Sequence, residues 1–220
     1  MSITHHPGDE LLLDYASGAL GETWSLAIAG HLALCPGCRR TVAGLEAVGG
    51  QIMADVVPVA VEDNLFDNIV SSTDRLEEEH TAAQPSAGGA TPTPILPEPL
   101  RSYLGGDVDC LDWQRLGLGA YQLLIPTNDD ESTARLLRIP AGRPLPTHSH
   151  NGPEVTLVLA GAFSDETGTY GRGDLQEADE DVDHQPHAAV GEDCICLAVT
   201  DAPLRFKSLA ARMMQPLIGI

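Results

Sequence analysis

Three residues near the start of the chain have the types and spacing of a metal site: His31, Cys35 and Cys38, at i, i+4 and i+7. On a helix the first two lie one turn apart on the same face, and a bend at Pro36-Gly37 swings Cys38 in beside them. Zinc takes thiolate and imidazole ligands tetrahedrally, so the trio lacks one ligand, which His5 or His6 can supply from the N-terminal side. Two other chemistries use the same residues. A Cys-x-x-Cys pair can cycle between thiol and disulfide, and a lone histidine on an apolar helix can be a hydrogen-bonded core residue. The redox reading wants a strand-to-helix junction in an α/β unit, which the surrounding residues lack. A histidine one turn before the first cysteine, inside an apolar helix, favours zinc. With four protein ligands and no open position the ion is structural, and in model peptides such binding contributes about 10 kcal/mol or more to folding.

A second set lies in residues 142–161, GRPLPTHSHNGPEVTLVLAG. His148, His150 and Glu154 share parity, so on extended chain all three side chains point to one face. The Asn-Gly-Pro turn between the second and third need not preserve that parity. A fourth ligand is available from His184 or His187 on a later hairpin. Three histidines and a carboxylate suit zinc, iron, manganese or nickel, and ligand type alone does not choose. The alternative is an exposed polar loop, since His-x-His also arises by chance.

The elements that must position these groups differ between the two halves of the chain. Residues 1–80 contain few prolines and read as helical, with helices expected over 10–19, 24–34, 38–53 and 64–79. Leu65, Phe66, Ile69, Val70 and Leu76 form a narrow apolar stripe on the last. Residues 81–99, TAAQPSAGGATPTPILPEP, carry five prolines and read as a semi-extended linker that buries little. From 100 to 220 short apolar runs are broken by Gly, Pro and Asp, which suits an all-β domain with strands near 111–116, 119–125, 134–139, 154–159, 169–170 and 193–200. The expected class is therefore α plus all-β in two domains, a helical bundle followed by a small barrel or sandwich.

Charge narrows the function. Over 220 residues, 12 Lys and Arg stand against 32 Asp and Glu, a net of -20, which argues against direct DNA binding and against an anionic membrane surface. A solubilising surface or a basic partner remains. Residues 1–80 hold 13 acidic and 3 basic residues, and residues 165–193 hold ten acidic residues against Arg172 alone, most of them read as a solvated face. No apolar run reaches the ~18 residues of a membrane span. The opening MSITHHPGDE lacks the order of a signal peptide, and five cysteines make a poor disulfide framework. A cytoplasmic protein with reduced thiols is expected. Cys194 and Cys196 share one strand face and read as small buried apolar side chains, with oxidation near the metal as the sharper alternative. Cys110 suggests no function.

Two resemblances follow from these motifs. His6, Leu12, Tyr15-Ala16, Gly18 and Leu20, followed by His31-x3-Cys35-x2-Cys38, resemble the zinc-binding anti-sigma domain; the resemblance implies His6 as the first ligand beside His31, Cys35 and Cys38. Gly142, His148-x-His150, Glu154 and Gly161 reproduce the spacing of the first cupin motif. The second cupin motif departs from its pattern, with Asp179, Glu180 and Asp181 where Pro-x-Gly is usual, and implies His184 as the fourth ligand. Together, with the closing stretch 193–209, the chain resembles the ChrR family of anti-sigma factors. That implies a cytoplasmic protein, not an enzyme, whose domain 1–80 sequesters an extracytoplasmic-function sigma factor in a 1:1 heterodimer. It also implies release under oxidative stress such as singlet oxygen, sensed through the cupin and its zinc or other divalent ion. Leu65, Phe66, Ile69 and Val70 are the expected anchors on the partner, or else pack on their own domain. The alternative function is a metal-dependent cupin enzyme, a dioxygenase or isomerase with an accessory zinc domain.

Overall fold

The computed structural model describes residues 2–81, 93–117, 119–203 and 205–206. Residues 82–92 of the expected linker, and Leu204 with residues 207–209 of the closing stretch, lie outside the described residues. The helices are α1 (Asp9–Ser17), α2 (Glu22–Leu34), α3 (Pro36–Ala54), α4 (Leu65–Thr81) and α5 (Glu98–Leu104), followed by a single 3-10 turn at Val108–Cys110. α2 stops at Leu34 because Cys35 turns extended, and Pro36 then opens α3, where a missing amide costs nothing.

The strands are β1 (Gln114–Gly117), β2 (Ala120–Ile125), β3 (Thr133–Ile139), β4 (His148–Ser149), β5 (Glu154–Ala160), β6 (Ala162–Ser164), β7 (Thr169–Gly171), β8 (Leu175–Ala178), β9 (Asp183–His184), β10 (His187–Ala188), β11 (Cys194–Thr200) and β12 (Arg205–Phe206). They form a six-stranded antiparallel sheet, β1-β2-β3-β11-β5-β8, and two three-stranded sheets, β10-β6-β7 and β12-β4-β9. Among the described residues no single ladder closes the strands into a ring; the β domain is built from these three sheets. Gly161 makes the tight β5–β6 corner: its φ is +65°, and a Cβ there would stand 2.5 Å from the Asp193 carbonyl oxygen.

The described residues of 2–49 and 94–206 form one compact unit. One face of the large sheet, with Leu136, Leu157, Val155, Leu197 and Val199, shares a core with Leu26, Ala27, Ile28 and Leu32 of α2 and with Leu100 of α5. The other face packs Ile139, Val158, Cys194 and Cys196 against Phe163, Tyr170 and Ala188. Both faces of β11 and β5 are therefore covered, which is why DCICLAVT and EVTLVLA read as nearly continuous apolar runs. Gly30 lets α2 lie directly on the sheet, since a Cβ there would stand 3.0 Å from Leu157 Cδ2. The N-terminal end of α2 is tied to α5 and to the β2–β3 loop: Glu22 accepts from the Tyr103 hydroxyl at 2.6 Å and from the Asn128 amide at 2.7 Å.

The end of the proline-rich stretch departs from the expectation that it buries little. Leu96 is 1 % exposed, and Asp107 accepts from the Ile95 and Leu96 amides at 2.9 Å each. α5, which follows immediately, was also not expected, although Pro99 in its first turn and the left-handed Gly105 after it are the ordinary start and stop signals of a short helix.

Residues 50–93 form a second, smaller unit containing the end of α3 and α4. Its apolar side chains are largely exposed, including Ile52, Met53, Val56, Val57, Val59, Val61, Leu65, Phe66 (74 %), Ile69 and Val70.

Candidate metal centres

The first centre forms where α2 hands over to α3. His31 ends the buried face of α2, Cys35 caps that helix, and Cys38 sits in the first turn of α3; His6 reaches in from the segment before α1. Their ligand atoms all lie within 4.8 Å of one another, with His31, Cys35 and Cys38 buried and His6 exposed. His31 Nδ1 donates to the Gly173 carbonyl at 2.9 Å, so its Nε2 carries the lone pair and faces Cys38 Sγ at 3.3 Å. His6 Nδ1 stands 3.4 Å from Cys38 Sγ and 3.5 Å from Cys35 Sγ. A tetrahedral zinc with Zn–S of ~2.3 Å and Zn–N of ~2.0–2.1 Å would separate N and S by about 3.6 Å, so the four groups fit such an ion. Burial, with Cys35 alongside, pushes the Cys38 thiol up to about 11, and burial pulls His31 down to about 4. At neutral pH the histidine offers its lone pair, and a cation must displace the thiol protons. His5 is elsewhere: its ring lies against Tyr170, with centroids 4.4 Å apart.

The second centre lies inside the β domain. β4 pairs with β9 so that His148 stands opposite His184, and the turn after β4 brings His150 alongside. The ligand atoms of His148, His150 and His184 lie within 4.8 Å of one another, and all three residues are buried. His148 Nδ1 donates to the Pro146 carbonyl at 2.9 Å and His184 Nδ1 to Asp165 Oδ2 at 2.7 Å. Both Nε2 atoms therefore carry lone pairs, yet they stand 3.0 Å apart, and His150 Nε2 is 3.2 Å from that of His184. Facing lone pairs repel unless a proton or a metal ion lies between them. Burial lowers the His148 pKa and so opposes the proton. Nitrogens sharing one tetrahedral ion stand about 3.3 Å apart, which this spacing matches.

Glu154 does not join the three nitrogens. Its Oε2 lies 3.3 Å from His150 Nδ1, the ring atom pointing away from the cluster, and the pair is close but not aligned as a hydrogen bond. Burial pushes the Glu154 carboxyl up, but His150, His148 and the Thr156 hydroxyl outweigh it and hold it below its ordinary range. The geometry puts Glu154 on the outer side of a ligand, the position from which a carboxylate orients an imidazole. His187, the other candidate on the later hairpin, is exposed on β10 and lies outside the cluster.

Asp165 escaped the sequence reading, which grouped it with a solvated acidic face. Its side chain is fully buried and accepts from the Thr167 and Gly168 amides, the Thr167 hydroxyl, Gln176 and His184. Burial alone would raise its pKa; these donors hold it at about 2. Asp174, in the same acidic stretch, is also buried, at 5 % exposure. A short Asp-x-Thr-Gly turn was the available signal, since aspartate in such turns binds the amides that follow it. Cys194 and Cys196 are buried free thiols, and Cys194 and burial push Cys196 well above its usual range, which opposes its thiolate form.

A helical His/Cys centre joined to a cupin with a three-histidine cluster defines a class, and the comparisons agree: this chain belongs to the ChrR family of anti-sigma factors. Residues 104–203 match the ChrR cupin-like domain. The chain is 44 % identical over 220 residues, the full length of both proteins, to the anti-sigma-E factor ChrR of Cereibacter sphaeroides. It also resembles a solved structure of Rhodobacter sphaeroides SigE in complex with the anti-sigma ChrR, at 42 % identity and a TM-score of 0.75, covering 91 % of this chain and all of that one. No described helix is long and apolar enough to cross a membrane.

Proposed function

We propose that this chain is a cytoplasmic anti-sigma factor that holds an extracytoplasmic-function sigma factor in a 1:1 complex and lets it go under oxidative stress, of the singlet-oxygen kind, sensed at the cupin centre. The full-length likeness to an anti-sigma factor solved together with its SigE is the observation that carries this reading. In it, residues 1–80 are the inhibitory domain and 100–220 the sensory domain, with Ile95 and Leu96 of the stretch between them packed into the shared core.

Zinc at His6, His31, Cys35 and Cys38 would cross-link the first segment, α2 and α3, a role that needs no open coordination position. At the cupin centre His148, His150 and His184 would hold zinc or another divalent ion, with Glu154 beside His150 or swinging in as a fourth ligand. Three protein ligands leave a position open, and a signal can act there. The exposed apolar face of α4, Leu65, Phe66, Ile69 and Val70, supplies anchors of the size that dominate protein interfaces, while the acidic excess of residues 1–80 steers a basic partner.

Co-expression with an extracytoplasmic-function sigma factor tests the sensory half. A His148→Ala/His150→Ala variant is expected to hold the sigma factor less tightly than the native chain in the dark and to show no further release when cells are illuminated with a photosensitiser. Normal release from that variant would remove the cupin centre from the sensing role.

A further inference from the structure

Both histidine ligands of the N-terminal centre are set by one stretch of the β domain. The Asp174 carboxylate accepts from the Thr4 amide at 2.6 Å and the His5 amide at 2.9 Å, and the Leu175 amide donates to the His5 carbonyl at 3.2 Å. The segment before His6 is thereby laid along the edge of β8, and Glu177 holds the Gly8 amide at 2.6 Å just beyond it. One residue before Asp174, the Gly173 carbonyl fixes the ring of His31. Gly173 itself has a φ of +92°, and a Cβ there would meet Ile3 Cδ1 at 2.6 Å.

The same stretch begins at the other centre. Asp165 binds His184 Nδ1 at 2.7 Å with one oxygen and the Thr167 hydroxyl at 2.6 Å with the other; Thr167 bonds the Tyr170 hydroxyl at 2.9 Å; and the Tyr170 ring lies against the tilted His5 ring, centroids 4.4 Å apart. The contacts run without a gap from His184 to the residue next to His6.

We propose that residues Asp165–Asp174 are the coupling element between the two metal centres, with Tyr170 and Asp174 as positioning residues that make the hold on the N-terminal ion depend on occupancy of the cupin. A cation on His184 Nε2 makes its Nδ1–H a stronger donor, which tightens Asp165, its Thr167 bond and, through Tyr170 and the 171–174 turn, the placement of His6 and His31. Linkage requires the effect to be reciprocal. The inference rests on the proposed metal sites and names the route by which the proposed release would act.

The test uses the full chain loaded with zinc, without sigma factor, and follows transfer of N-terminal zinc to a coloured chelator. Emptying the cupin by His148→Ala/His150→Ala should speed that transfer about 5-fold or more, the low end of ordinary coupling. In a Tyr170→Phe background, which removes one hydroxyl, the acceleration should disappear while the chain keeps its melting temperature. Asp174→Ala should raise the rate regardless of the cupin and expose the Leu175 amide to hydrogen exchange, with Asp174→Asn restoring part of both. No acceleration in the native background, or an acceleration that survives Tyr170→Phe and Asp174→Ala, would overturn the proposal. Sigma binding is scored separately on the same variants: a chain that binds sigma but shows no coupling loses only this inference, and a chain that couples its metals but binds no sigma loses the proposed function instead.

Discussion

His5 and His6 differ by one position in sequence and by their whole role in the structure. His6 faces two thiols and His5 faces Tyr170 and Asp174. Replacing His6 by alanine should therefore lower the metal content by one ion per chain by elemental analysis, and replacing His5 should leave it unchanged; equal loss from the two would contradict the geometry. Asp165 makes a similar point at the cupin. It touches no ion, but it fixes the ring and tautomer of His184. Asp165→Asn is expected to weaken metal binding there by about 10–100-fold, the usual effect of removing an outer carboxylate, with competition titration as the measure.

At the scale of elements, short polar ties determine what packs. Asp107 carries the turn from Ile95-Leu96 into the core. Burial pushes its carboxyl up, but the amides of Leu96, Ile95 and Val108 outweigh that and hold it below its ordinary range. Its folded pKa lies under the unfolded one, so its contribution is present above the ordinary carboxylate range and lost as pH falls through the folded value. Asp107→Ala should destabilise the chain by about 1–3 kcal/mol in urea melts at neutral pH and by less in acid. The long elements were legible in the sequence: α2 from its apolar run, α4 from its stripe, β5 and β11 from short apolar runs, although β11 read as alternating and is buried on both faces. The two-residue strands β4, β9, β10 and β12 were not, since so short a strand is defined by its partner and has no periodicity of its own. The first centre was readable because three of its ligands lie within eight residues along the chain, whereas the Gly173 carbonyl that orients His31 comes from 142 positions away. The common parity of His148, His150 and Glu154 suggested one convergent set, but the turn at Asn151-Gly152-Pro153 leaves the carboxylate behind a ring. On α4, Phe66→Asp should weaken sigma binding by about 2 kcal/mol or more while leaving the melting temperature unchanged, as expected of an exposed anchor.

Over the whole molecule, α2 and the large sheet share one core, so the helices carrying the first centre are built onto the domain carrying the second. The proposed coupling is a consequence of that packing. The net charge of -20 adds a long-range term: association with a basic sigma factor should slow as salt rises from 50 to about 500 mM, with dissociation much less affected. The account's central claim is that a metal ion at His6, His31, Cys35 and Cys38 gives the N-terminal helices the shape that binds sigma. Titration of an extracytoplasmic-function sigma factor into the native chain and into a Cys35→Ala/Cys38→Ala variant, with zinc counted in each sample, tests it most directly. The account predicts that the variant loses one zinc ion and at least about 100-fold in affinity, roughly 3 kcal/mol. Undiminished binding by a variant shown to lack that ion would contradict it.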